Sequence, residues 1–140
     1  MVPNNNLDPI YQEMILDLYR NPLNKKVVPQ ATHKHKEFNP SCGDEIEVMI
    51  QFDEHGNVVD VGHQGQGCAI SQAAVSLLTE EIRNKKRLEV ESITEKEMLA
   101  LLPIKIIHTR LNCALLGWKT LRMCLEKNEE GASQHSSSFY

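Results

Sequence analysis

The clearest pattern in the sequence is an alternation of apolar and polar residues between positions 45 and 52. Apolar residues occupy every second position, at Ile46, Val48, Ile50 and Phe52. A period of two is typical of a β-strand with one buried face. Residues 53–57 (DEHGN) are turn formers, and Val58–His63 can return as a second strand. The pattern therefore predicts an antiparallel hairpin, with a third strand in the segment before Pro40.

Apolar residues recur at helical spacing in four other segments. These are residues 7–20, 69–83, 94–101 and a last helix that ends near residue 127. Pro22 ends the first helix, and Thr94 with Glu97 forms a capping box at the start of the third. The last helix begins at Pro103 or Thr109, both of which are suitable first-turn or cap residues.

Together these elements predict an α+β fold, in which a small antiparallel sheet of about three strands is covered on one face by helices. A chain of 140 residues has room for one such domain. We expect it to span residues 7–127. Residues 1–6 are polar and predicted to be disordered, and residues 128–140 contain too few apolar side chains to pack, which predicts a flexible tail.

Charge and hydropathy exclude two classes of partner. The net charge of −4 and the pI near 5.8 argue against nucleic acid, which needs a basic surface. The one basic cluster, residues 85–87, is predicted to be a solvated helix end. There is no apolar run long enough for a membrane span. Residues 1–7 lack the features of a signal peptide, so we expect a cytoplasmic protein.

The four cysteines of the sequence carry its candidate chemistry. The cytosol keeps thiols reduced, so metal binding or thiol chemistry is more plausible than disulfides. Cys42 lies in a turn before a strand, with Asp44 two residues later. Cys68 follows Gly65-Gln66-Gly67 and opens a helix, where the helix dipole favours a thiolate. Cys113 lies in the last helix. Spacing alone leaves open whether these cysteines bind metal or are buried apolar residues.

The sequences around the cysteines resemble a known family. NPSCGDEIEV, GQGCAISQAAVSLLTEEI and RLNCALLGWKTL are similar, in this order, to motifs of the U-type iron–sulfur assembly proteins, whose branches are SufU, IscU and the N-terminal domain of NifU. The resemblance covers about residues 8–126. The GCAIS segment resembles SufU, and so does Asn112, at a position where IscU proteins have histidine. The insertion that is usual in SufU proteins is missing.

The resemblance implies a site and a function. Its metal ligands would be Cys42, Asp44, Cys68 and Cys113, with zinc bound at rest. The protein would accept persulfide sulfur on Cys42 from a PLP-dependent cysteine desulfurase, SufS-like or IscS-like, and Arg110 would activate that enzyme. Sulfur would then pass to downstream iron–sulfur assembly or acceptor proteins. Such a protein would be a zinc-dependent sulfurtransferase.

Three alternatives remain open. The protein could be an IscU-type scaffold that holds a transient [2Fe–2S] cluster on Cys42, Cys68 and Cys113, or a non-catalytic structural zinc domain. Cys113 could be the first sulfur acceptor instead of Cys42. The remaining candidates are assigned plain structural roles: Cys124 to the core, His108 to the surface or a helix cap, and His63 to a solvated strand end.

Overall fold

The computed structural model describes residues 9–41 and 43–129. Most of the two predicted terminal segments, 1–6 and 128–140, therefore lies outside the described residues. The elements follow the chain in this order: α1 (Pro9–Arg20), β1 (His33–Asn39), β2 (Asp44–Phe52), β3 (Val58–Gln66), α2 (Ala69–Ile82), α3 (Arg87–Glu91), α4 (Glu95–Ala100), a 3₁₀ turn (His108–Arg110) and α5 (Leu111–Glu129).

The three strands form one antiparallel sheet in the order β1-β2-β3, so the predicted fold class is confirmed. Strand β1 is the predicted third strand, and its last residue, Asn39, pairs with Asp44. The turn between β2 and β3 is held by Asp53, whose carboxylate accepts the N–H groups of His55 at 2.9 Å and Asn57 at 2.8 Å. Strand β3 continues three residues beyond the predicted His63.

Helices α2 and α5 cover one face of the sheet. Of the alternating apolar residues of β2, Ile46, Val48 and Ile50 point toward them and are buried, as the period of two predicts, and Phe52 is half-buried. Gly117 lets the two helices approach closely, because a Cβ there would lie 3.0 Å from the side chain of Val75. The capping box of Thr94 and Glu97 is present. The 3₁₀ turn leads directly into α5, which places the start of the last helix near Thr109 rather than Pro103.

His63 is a correction to the sequence analysis. We expected a solvated side chain, but His63 is only 1% exposed. The segment after α1 runs beside β3, where Lys25 bridges to His63, and the carbonyl oxygen of Leu23 lies 2.9 Å from His63 Nε2. Burial lowers the pKa of His63 from 6.5 to about 4. The burial of His63 could not be predicted from the residues around it, because the segment that covers it lies forty residues earlier in the chain.

Arg87, one residue of the basic cluster at 85–87, is the second correction. It is half-buried rather than solvated, and it begins α3, a helix that periodicity does not predict. Its guanidinium donates to Glu91 at 2.8 Å and to the carbonyl oxygen of Leu125 at 3.2 Å, and lies over the ring of Phe52. Arg87 thus joins the hairpin tip to α5. In the part of the chain described, no helix is long and apolar enough to cross a membrane.

Candidate metal centre

Three of the predicted ligands meet at one end of the sheet. Asp44 is the first residue of β2, Cys68 immediately precedes α2, and Cys113 lies in the first turn of α5. One ligand atom from each residue, two sulfurs and one carboxylate oxygen, lies within 4.8 Å of the other two. Within residues 9–41 and 43–129 this is the only such cluster. Residues up to 69 positions apart in sequence are therefore neighbours in space.

The carboxylate of Asp44 also caps helix α2. Asp44 is 2% exposed, and its Oδ1 accepts the backbone N–H of Cys68 at 3.2 Å. The Cys68 side chain, at the N-cap position, makes no capping hydrogen bond of its own. A carboxylate is a suitable substitute, because it satisfies a free N–H and interacts favourably with the positive end of the helix dipole. Asp44 Oδ2 lies 3.7 Å from Cys68 Sγ.

Two glycines allow this close approach. A Cβ at Gly67 would lie 2.5 Å from Ser71 Oγ and 2.8 Å from Asp44 Cγ, so only glycine fits between β3 and the start of α2. Gly65 has φ +127°, and a Cβ there would collide with the backbone carbonyl oxygen of Glu45. The Gly65-Gln66-Gly67 sequence is thus the local cause of the tight packing around Asp44 and Cys68.

Arg110 lies beside the cluster. Its Nη1 is 3.9 Å from Cys113 Sγ, and the side chain is exposed. The pKa of Arg110 is raised, first by its hydrogen bond to Cys113 and then by the charges of Cys68 and Cys113. A cation at this distance favours the thiolate form of a cysteine. The role predicted for Arg110 in desulfurase activation is not tested by this geometry.

Cys42, the fourth predicted ligand, lies outside the described residues. Its neighbours on both sides are described and form a tight turn. The N–H of Gly43 donates to the carbonyl oxygen of Asn39 at 2.8 Å, and the N–H of Ser41 donates to Asn39 Oδ1 at 3.1 Å. Ser41 and Gly43 are both exposed, and Gly43 adopts φ +74°. The role of Cys42 as a ligand stays a prediction.

The donor set suits zinc. Two thiolates with one carboxylate form the kind of sulfur–oxygen set that borderline-soft Zn²⁺ accepts, and a further ligand would complete a tetrahedron. Asp44 and Cys113 are almost fully buried, so a bound cation would offset the cost of their negative charge. Asp44, Cys68 and Cys113 are thus the described residues that could hold a metal ion.

The remaining candidates lie elsewhere. Cys124 is fully buried, with its Sγ 3.9 Å from the carbonyl oxygen of Val48, and burial raises its thiol pKa to about 12. It is a core residue, as predicted. His108 is exposed and begins the 3₁₀ turn, which agrees with a surface position. The capping role of Asp44 is not predicted from the sequence, because Asp44 begins a strand and the N-cap residue of the helix that it caps, Cys68, lies 24 residues later.

This is a small α+β domain in which two thiols and a carboxylate lie together at one end of the sheet. These features are typical of the class of proteins that bind a metal ion and carry out thiol chemistry. Comparison with known families makes the class specific. The NifU-like N-terminal domain family matches residues 10–134. The chain belongs to this family, which includes the SufU and IscU proteins.

Individual relatives agree with this assignment. The chain is 33% identical to the zinc-dependent sulfurtransferase SufU of Bacillus subtilis (strain 168), over 91% of this chain and 97% of that protein. It is also 33% identical to the iron–sulfur cluster assembly scaffold protein IscU of Thermotoga maritima, over 84% of this chain and 94% of that protein. A crystal structure described as a SUF-system scaffold from Fervidobacterium islandicum AW-1 superposes with a TM-score of 0.70 at 31% identity, covering 83% of this chain and 96% of the other.

Proposed function

We propose that this protein serves iron–sulfur cluster assembly by accepting persulfide sulfur from a PLP-dependent cysteine desulfurase at a zinc centre. The observation that carries the proposal is the convergence of Asp44, Cys68 and Cys113 within 4.8 Å. Similarity to a zinc-dependent sulfurtransferase over nearly the whole chain supports zinc and sulfur transfer. In this proposal Cys42 is the remaining ligand, and the protein works in the cytoplasm.

The proposed reaction moves one sulfane sulfur between two cysteines. The thiolate of Cys42 attacks the terminal sulfur of the desulfurase persulfide. A new S–S bond forms while the old one breaks, and the enzyme cysteine leaves as a thiolate, so no external oxidant or reductant is needed. Bound zinc would keep the thiols of the centre deprotonated.

The choice of Cys42 as first acceptor rests on accessibility. Cys113 is 4% exposed, whereas Ser41 and Gly43, on either side of Cys42, are exposed. A desulfurase must bring its persulfide into contact with the accepting sulfur, so exposure favours Cys42. Mass spectrometry after brief incubation with desulfurase and cysteine tests this choice. We expect the first persulfide on the Cys42 peptide; a first adduct on Cys113 with Cys42 unmodified refutes it.

Metal analysis tests the centre itself. We expect one tightly bound zinc per chain in protein purified without added iron. Replacing Cys42, Cys68 or Cys113 with serine should remove it and loosen the fold, because coordination energy is also folding energy. Cys124→Ser is the matched control, since its sulfur lies in the core and should leave zinc content unchanged. Full zinc in all three ligand variants would remove the basis of the assignment.

A desulfurase assay tests the partnership. The protein should accelerate cysteine turnover by a SufS-like or IscS-like enzyme, and Arg110→Ala should reduce that effect while zinc stays bound. Lys105→Ala provides a control, because it removes an exposed cation five residues earlier in the chain that has no partner among the described residues. If neither type of desulfurase responds to the zinc-loaded protein, sulfur acceptance is wrong, and a purely structural zinc domain becomes the better explanation.

A second candidate function is an IscU-type scaffold. It is supported by similarity to a named scaffold protein of Thermotoga maritima and by the donor set, since cysteine thiolates are the usual ligands of [2Fe–2S] clusters. Anaerobic reconstitution with iron, desulfurase and cysteine separates the two functions. A scaffold develops the visible absorption of a cluster and passes it to an acceptor protein, whereas a sulfur acceptor retains zinc and carries only persulfide.

A further inference from the structure

A groove of about 250 Å³ lies beside the candidate metal centre, and the proposed function does not use it. One wall is formed by residues 37–40, at the end of β1. The other wall is a single stripe of α5, whose members are spaced four, three and four residues apart: Asn112, Leu116, Lys119 and Met123. The groove is therefore formed mainly by two packed secondary-structure elements, the end of β1 and helix α5.

The groove has a near end and a far end relative to the metal centre. At the near end, Asn39 pairs with Asp44, and Asn112 precedes Cys113. Strand β1 and helix α5 then run away from the centre together. Lys119 lies seven residues beyond Asn112, which is about 10 Å along the helix axis. The groove thus extends roughly 10 Å from Asn112, the residue before Cys113, to Lys119.

The far end carries one charge of each sign. Lys119 makes no hydrogen bond or ion pair with any described residue. Glu37, on the opposite wall, uses one carboxylate oxygen, Oε2, to contact His35 Nε2 at 2.6 Å, which leaves its second oxygen available. Leu116, between the two ends, and Met123, one turn beyond Lys119, give the wall an apolar surface. An ammonium group and a carboxylate group on one ligand would both find a partner at this end.

We propose that the groove binds a peptide-sized thiol, with its α-amino-acid head group between Glu37 and Lys119 and its sulfur at the metal centre. This inference rests on the proposed function, because such a thiol would take the sulfur that the centre receives. A ligand must span about 10 Å, and an extended chain covers at most about 3.5 Å per residue. A thiol of three residues can reach both ends, but free cysteine cannot.

The reaction that follows is a second thiol exchange. The thiolate of the bound ligand attacks the terminal sulfur of the protein persulfide, and the S–S bond to the protein breaks. The ligand leaves as its own persulfide, and the protein cysteine is released as a thiolate. One sulfane sulfur moves and no electrons are gained or lost overall, so the protein thiol is regenerated without another reagent.

Binding can be measured independently of sulfur transfer. The zinc-loaded protein is titrated with S-methylglutathione, which keeps an α-amino-acid head but cannot bind zinc through a thiolate, and is followed by NMR. We expect shifts at Leu116 and Lys119. Lys119→Gln should weaken binding about fivefold, the upper range for one exposed ion pair. Lys96→Gln, at an exposed lysine of α4, is the control. Equal binding by both variants would overturn the proposal.

The rate at which small thiols release sulfur from the protein persulfide tests the second thiol exchange. Protein loaded with radiolabelled persulfide is treated with equal concentrations of glutathione or cysteine. Glutathione should release sulfur faster, and Lys119→Gln should reduce its rate toward that of cysteine. Equal rates for both thiols in the unmodified protein refute the groove as a thiol site. If no persulfide forms at all, the proposed function fails, while the titration still decides whether the groove binds the peptide.

Discussion

Substitution of Asp44 separates its capping role from its role in metal binding. Its Oδ1 accepts the N–H of Cys68 at 3.2 Å, and the same carboxylate faces two sulfurs in the proposed centre. Asp44→Asn keeps an oxygen that can accept the Cys68 N–H but removes the anionic ligand. Asp44→Ala removes both. The two variants should therefore differ in the stability of the metal-free protein, which reports the cap, while both lose zinc affinity, which reports the ligand.

The magnitudes follow from the buried hydrogen bond. Loss of an N-cap acceptor costs about 1 kcal/mol, within a range of roughly 0.5–2 kcal/mol. The abandoned Cys68 N–H is partly buried, which places Asp44→Ala toward the upper half of that range. In metal-free protein, Asp44→Asn should have a free energy of unfolding close to the unmodified value. Zinc affinity should fall at least tenfold in both variants, equivalent to about 1.4 kcal/mol.

Two measurements check this expectation. Urea unfolding in the presence of a chelator gives the free energy of the metal-free protein, and competition with a coloured chelator gives zinc affinity. Glu45→Gln is a suitable control, since it removes a neighbouring carboxylate whose partner, Lys36, is exposed. If Asp44→Asn destabilises the metal-free protein as much as Asp44→Ala, the cap does not operate. If Asp44→Asn keeps full zinc affinity, Asp44 is not a ligand.

Three further predictions address other parts of the fold. The pKa of His63 is lowered from 6.5 to about 4 by burial, so the unfolded chain binds a proton that the folded protein excludes. Stability should be full above pH 6.5 and decline by up to about 3 kcal/mol as the pH falls to 4, and this decline should be absent in His63→Leu in pH-dependent urea unfolding. Gly67→Ala should weaken zinc binding because its Cβ would lie 2.8 Å from Asp44 Cγ. Gly56→Ala should cost only stability, because its φ is +83° and its Cβ would meet Arg87 Cβ at an ordinary 3.9 Å; equal zinc affinities of the two variants would contradict this. Cys124→Ser should leave persulfide loading by mass spectrometry unchanged, because burial raises that thiol's pKa to about 12.

The sequence pattern predicts the fold correctly where periodicity and burial agree. The alternation at residues 46–52 predicted strand β2 because its apolar side chains face α2 and α5, and the helical spacing of apolar residues at 69–83 predicted α2. Thr94 predicted a helix start because its capping box is local. These features depend on neighbours within a few positions, or on a face that is uniformly buried, and both leave a signal in one sequence.

Other features could not be predicted in this way. Arg87 is half-buried because the hairpin tip, β1 and the end of α5 meet around it, and His63 is buried because residues 23–25 lie against it. The groove beside the centre arises from the pairing of β1 with α5, so neither segment alone indicates it. In each case the partner lies more than thirty residues away, and tertiary packing overrides the local pattern.

Prediction of the candidate metal centre depends on both local sequence motifs and tertiary packing. The cysteine motifs identify candidate ligands by residue type and by the glycines beside them, but only the fold brings three ligands to one place. Each of these ligands lies at or near the beginning of an element: Asp44 begins β2, Cys68 precedes α2, and Cys113 is in the first turn of α5. Helix starts leave backbone N–H groups free, and such groups stabilise negative charge, as the Cys68 N–H does for the carboxylate of Asp44. The hydrophobic core lies farther along the same elements, so its packing fixes the positions of the three candidate ligands relative to one another.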